Sequence, residues 1–213
     1  MYAMEKGSVA LLLSIYMSSG EERAWELLGG LDPTAVSRNA SVAYKGGAYL
    51  LTSLGMDFSI HPLDRKIKGI SPGADAVAGR LGYFFNHSVL WYLVGAKDIG
   101  LSGRLIRPSD VKGGHHFFKG THELPLDRVA GKYASDREGF VNRALELGGR
   151  PLDLGDASFE LRPLPRVPVT FILWLGDEEF PPRLDLFFDS TCEMHIHLDI
   201  IWSTAMYSTV IML

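Results

Sequence analysis

The stretch from Val167 to Trp202, VPVTFILWLGDEEFPPRLDLFFDSTCEMHIHLDIIW, constrains the fold more than any other part of the chain. Val167 to Leu175 and Arg183 to Asp189 are apolar, β-branched or aromatic runs of strand length. Between them lies Gly176-Asp177-Glu178-Glu179-Phe180-Pro181-Pro182, an acidic segment closed by two prolines that cannot donate to a strand ladder. Two such runs around a short turn read as an antiparallel hairpin. The following residues alternate one by one: at period two, Cys192, Met194, Ile196 and Leu198 share one face while Glu193, His195, His197 and Asp199 share the other. The alternation predicts a further strand over 192–198, and then a last helix capped by Asp199.

The rest of the chain mixes helical and strand periods. Ser18 with Glu21, or Ser19 with Glu22, has capping-box spacing for a helix near 20–29 that Gly29-Gly30 ends. Asp32-Pro33 opens a second short helix reaching about Arg38. Segments 41–45, 48–53, 57–61 and 65–69, separated by glycine or proline turns, read as a small antiparallel meander. Val77, Leu81, Phe84, Phe85, Ser88, Trp91 and Tyr92 then form one broad stripe, predicting a long aromatic-rich central helix over 74–94. His87 inside it reads as a packed residue. Gly113 to Phe118 reads as a turn into an extended segment, and helices follow over 126–134 and from a Ser135/Glu138 capping box to Gly148-Gly149. With strands at 157–162, 167–175 and 183–189 and no βαβ alternation, the fold class is α+β: one domain over 1–213, its antiparallel sheet packed with helices.

A chain of 213 residues fits one domain, which buries roughly 70% of the surface its unfolded form exposes. Its net charge of −4 supplies no electrostatic footprint for nucleic acid or an anionic membrane, and the longest basic run is Arg65-Lys66-Ile67-Lys68. The single cysteine, Cys192, excludes an internal disulfide framework or a cysteine-held cluster within this chain, and a reducing cytoplasm is the expected compartment. No apolar run reaches the roughly 20 residues of a membrane span. Val9 to Met17 resembles a signal-peptide core, but Glu5 beside Lys6 favours a first buried helix.

Three groups of residues carry potential chemistry, each beside a plainer reading. His195 and His197 would project side by side from the predicted strand and could hold a divalent metal ion such as zinc, with Asp177, Glu178, Glu179 or the pair His115 and His116 completing the shell. The plain alternative is the polar face of a sheet. Asp177 or Glu179 would serve as general base, neighbouring carboxylates raising one another's pKa, against the plain reading of a solvated turn. His115 and His116, with His122 and Glu123 beside Phe117 and Phe118, form a cluster suited to a cofactor pocket, as does Trp174 next to the acidic turn; a loop burying its phenylalanines explains the same residues. No Walker, GxGxxG, GxSxG or HExxH motif is present.

The order of several blocks resembles domain-of-unknown-function family 3786. They are Leu90-Trp91-Tyr92-Leu93, Gly113-Gly114 to Phe117-Phe118, Leu147-Gly148-Gly149, Gly155-Asp156, Trp174-Leu175-Gly176-Asp177-Glu178-Glu179-Phe180-Pro181 and Leu186-Phe187-Phe188-Asp189. The resemblance implies anaerobic bacterial and archaeal relatives, some fused to an iron–sulfur module, and hence an accessory role beside iron–sulfur or corrinoid proteins; it carries no established activity. His195 and His197 stand outside that pattern. The leading expectation is a binding or accessory protein for a metal, a metal-containing cofactor such as a tetrapyrrole, or a protein carrying one. A metal-dependent hydrolase or lyase is the second reading. An interaction module or homodimer burying the C-terminal helix is the third.

Overall fold

The computed structural model describes residues 20–213, so the apolar run Val9–Met17 and the capping residues Ser18 and Ser19 lie outside the described residues. Helix α1 runs from 20 to 30 and buries Ala24, Trp25 and Leu28 at helical spacing. Asp32 then accepts hydrogen bonds from the Thr34 and Ala35 amides, and Pro33 opens helix α2 (Pro33–Ala40). The expected meander follows as β1 (Ala43–Lys45), β2 (Ala48–Ser53), β3 (Met56–His61) and β4 (Lys66–Gly69), each strand antiparallel to the next. Along β2 the buried Tyr49, Leu51 and Ser53 alternate with exposed Leu50 and Thr52, so one face of this sheet is committed to the core.

The single long helix predicted over 74–94 is divided. Helix α3 (Ala74–Leu81) and helix α4 (Tyr83–Gly95) meet at Gly82, whose φ of 54° and ψ of −130° suit a residue without Cβ. The break lets α3 lie on β3 and β4 while α4 turns to pack on the C-terminal helix over 198–210. Helix α4 buries Phe85, His87, Ser88, Val89, Leu90, Tyr92 and Leu93, and a helix apolar over so much of its circumference belongs in the core.

Beyond the short strand β5 (Leu105–Ile106), the extended segment expected after Gly113 is instead helix α5 (Gly114–Phe117). Helices α6 (Leu126–Lys132) and α7 (Arg137–Glu146) appear as expected, although Asp136 rather than Ser135 caps α7 by accepting from the Gly139 amide. Strands β6 (Arg150–Leu152), β7 (Ala157–Leu164), β8 (Val167–Trp174) and β9 (Arg183–Asp189) complete a five-stranded antiparallel sheet of order β5-β9-β8-β7-β6. The predicted hairpin is therefore its centre, with Thr170 opposite Phe187 and Trp174 opposite Arg183.

The strand predicted over 192–198 does not form. After β9 the chain enters helix α8 (Cys192–His195) and then helix α9 (Leu198–Val210), with His197 rather than Asp199 at the cap position. The cause is Asp189, whose buried carboxylate accepts from the Thr191 amide and hydroxyl and from Ser102 and Gly103, fixing a turn where a strand would have to continue. The same residues carry helical spacing, for Cys192, His195 and Ile196 are buried while Glu193, Met194 and His197 are exposed.

One core joins these parts. Phe58 packs on Phe85 and Phe85 on Tyr207, while Tyr133, Phe140, Phe159 and Phe171 continue ring to ring beneath the five-stranded sheet. Each such buried phenylalanine contributes roughly 1.5–3 kcal/mol. The Tyr92 hydroxyl donates to the Ala40 carbonyl at 2.8 Å and the Tyr207 hydroxyl to the Pro163 carbonyl at 2.8 Å, so both buried phenols are satisfied. No described helix is long and apolar enough to cross a membrane.

Candidate functional site

The acidic turn sits at one end of β9. Asp177 accepts from the Glu179 amide at 2.8 Å and the Phe180 amide at 2.7 Å, and its own amide donates to the Phe180 carbonyl. These two accepted hydrogen bonds hold its carboxyl below the usual range, so Asp177 is an ionised turn former at neutral pH. Glu179 is exposed beside it. Trp174 donates its indole N–H to Asp185 at 2.9 Å and carries the Arg183 guanidinium over its ring. The Gly155-Asp156 block lies against the same strand end: Asp156 accepts from the Leu175 amide, and a Cβ on Gly155 would come within 2.6 Å of Ile172.

The histidine segment lies at the other end of β9. Seven strand residues at about 3.3 Å each separate the two ends by roughly 20 Å, so the acidic turn and the histidines do not converge. His195 is buried; its Nδ1 accepts from the Lys97 amide at 3.4 Å, which leaves the proton on an Nε2 that has no partner among the described residues. Burial, reinforced by the charges of Arg166 and Lys97, lowers its pKa and favours the neutral ring. His197 is exposed, beside Val111 and Lys112, whose amide donates to Glu193 at 2.7 Å. His115 and His116 are exposed on α5, their rings 5.3 Å apart. Cys192 is a core residue, and burial pushes its thiol pKa up to about 12. Among the described residues, no group of three or more His, Cys, Asp or Glu side chains is gathered to hold a metal ion.

The convergence that does occur joins α4, α9, the end of α5 and the segment after it. Phe117 stacks on His122 with centroids 4.3 Å apart, and the two present themselves to Trp202 of α9. Phe84 of α4 meets the same indole edge-on at 5.4 Å. One turn along α4, His87 stacks on Tyr83 at 4.6 Å and lies 6.3 Å from Trp91. Its Nε2 is 4.0 Å from the Asp199 carboxylate, one turn before Trp202 on α9, and this contact with His87 draws the Asp199 pKa down. Phe84, Phe117, His122 and Trp202 are each half-buried. Two polar atoms, Trp202 Nε1 in this cluster and His87 Nδ1 toward Gly20 of α1, are buried without a hydrogen-bond partner among the described residues.

Of the residues expected to bind a cofactor, His115 and His116 thus lie two and one positions before a contact residue, Phe117, while Trp174 stands elsewhere. Reading the sequence left Trp202 out and took the stripe of α4 as core alone. A signal was available in the spacing of Phe84, His87 and Trp91, which shares one face of a helix, and of Asp199 and Trp202 on another.

A family model described as Domain of unknown function (DUF3786) matches residues 32–210. No curated protein and no solved structure matches the chain.

Proposed function

Since the chain belongs to the DUF3786 family, whose description carries no activity, we propose from the geometry that it is a binding protein for a flat, largely apolar group that lies against the face formed by Phe84, Trp202, Phe117 and His122. The observation that carries this reading is Trp202 Nε1, buried among these rings with no hydrogen-bond partner among the described residues. A buried polar group left unpaired costs about 1–3 kcal/mol, which a ligand with an acceptor at its edge recovers. Half-buried aromatic walls with few polar groups are the usual make-up of a small-molecule site. Tetrapyrroles, including the corrinoids that the family resemblance suggests, are flat ligands of this class, and the imidazole of His122 is a ligand type their metals accept. An accessory role, holding such a cofactor for an iron–sulfur or corrinoid protein, is the reading this favours. A hydrolase or lyase built on His195 and His197 draws no support from one buried and one exposed ring.

Titration of the purified protein with haem and with a base-free corrinoid, followed by visible absorbance and tryptophan fluorescence, tests it. Saturable binding of at least one is expected, weakened about tenfold or more, or at least about 1.4 kcal/mol, by Trp202→Phe or His122→Ala. Absence of saturable binding to both, or binding indifferent to both substitutions, would remove this face as the site.

A further inference from the structure

The outer face of the five-stranded sheet, turned away from the Phe159–Phe171 core, has no part in the proposed cofactor site. A groove of about 360 Å³ crosses it, walled by Leu101, Leu105, Leu152 and Leu154 over Pro168 and Thr170. Leu101, Leu105 and Leu154 are each 40% exposed, an unusual clustering of large apolar side chains on one surface. Arg150 and Arg162 stand on its rim and share a single carboxylate, Glu160, at 3.4 and 3.1 Å. Glu160 and the buried Asp189 offset these charges from within the groove, but the guanidiniums are the exposed groups, at 65% and 52% against 13% for Glu160, so the rim itself is positive.

The complementary surface is on the same molecule. Phe180 is 66% exposed, the most exposed aromatic among the described residues, and Asp177, Glu178 and Glu179 precede it. The turn is pre-shaped, because Asp177 accepts from the amides of both Glu179 and Phe180. An apolar tip with a negative flank matches an apolar groove with a positive rim in both chemistry and charge.

We propose that the chain pairs with a second copy of itself, the Phe180-tipped acidic turn of each protomer seated in the leucine groove of the other between Arg150 and Arg162. Turn and groove lie toward opposite ends of β8, so a two-fold axis across the outer sheet faces lets both protomers give and receive a turn. The contact closes on itself and makes a dimer.

Sedimentation velocity on the full chain over a wide concentration range tests this. A monomer–dimer equilibrium that weakens with added salt is expected, and Phe180→Ala should weaken it about tenfold or more. Glu178→Arg/Glu179→Arg and Arg150→Glu/Arg162→Glu should each be monomeric alone, yet form a mixed dimer when combined, since in the mixture both contacts regain opposite charges. A wild-type chain monomeric throughout, a dimer untouched by Phe180→Ala, or reversed variants that fail to pair on mixing would each overturn the proposal. Phe180→Ala leaves every charge in place and provides the decisive reading should a charge-reversed variant fail to fold.

Discussion

The two ends of β9 use the same device to opposite effect. At its start, Asp177 orders an exposed turn by accepting two amides from its own segment. At its end, Asp189 is 4% exposed and accepts from the amides of Ser102, Gly103 and Thr191 and from the hydroxyls of Ser102 and Thr191. Burial alone would raise the Asp189 pKa, but the hydrogen bonds from Thr191 and Ser102 outweigh it and bring it below the usual range. The first aspartate shapes a local tip. The second ties the loop after α4, the end of β9 and the entry to α8 into one unit, and so decides the path of the histidine segment.

The sharpest way to break this comparison is to remove each carboxylate in turn. Asp189→Ala strands several buried donors and should lower unfolding stability by about 3 kcal/mol or more, whereas Asp177→Ala should leave it nearly unchanged, because water replaces its partner groups. Urea denaturation of both variants measures the difference; equal losses would end the distinction. The thiol of Cys192 extends it to the packing beyond Asp189. Cys192→Ser should cost about 1–2 kcal/mol by burying a more polar group, and the native thiol should react with an aromatic disulfide reagent only as fast as the protein opens.

The smallest expected effect is a pH slope from His195. Its folded pKa is lowered, so the unfolded chain takes up the proton first as pH falls. The stability from burying the neutral ring is complete above the unfolded value of about 6.5 and is lost progressively as pH falls toward the folded value. Urea midpoints at pH 7 and pH 5 should therefore diverge less in His195→Gln than in the parent chain. An unchanged slope in the variant would place the acid sensitivity in other groups, Asp189 and Asp199 among them at lower pH.

Where the signal was local, the sequence was sufficient. The four-stranded meander, the Asp32-Pro33 helix start and the hairpin of β8 and β9 rest on turn residues and side-chain alternation within a few positions, and β9 occupies Arg183–Asp189 as expected. The burial of Cys192 follows equally from a strand or a helix, since both spacings place it inside. What failed was the choice between the two periods over 192–198, where seven residues satisfy alternation and helical spacing together. The tie was broken by Ser102 and Gly103, which lie 87 and 86 residues before the Asp189 they bind.

The candidate site divides in the same manner. The aromatic and histidine content of α4 and of Phe117 to His122 was visible as composition, but their meeting on Trp202 and the approach of His87 to Asp199 depend on how α4 and α9 cross. By itself the sequence determined the four-stranded meander and the hairpin of β8 and β9, because those choices rest on neighbours along the chain. Only the tertiary structure decided that the acidic turn and the histidines stand at opposite ends of one strand and that the aromatic face gathers elsewhere, because hydrogen bonds and packing between distant segments set those positions.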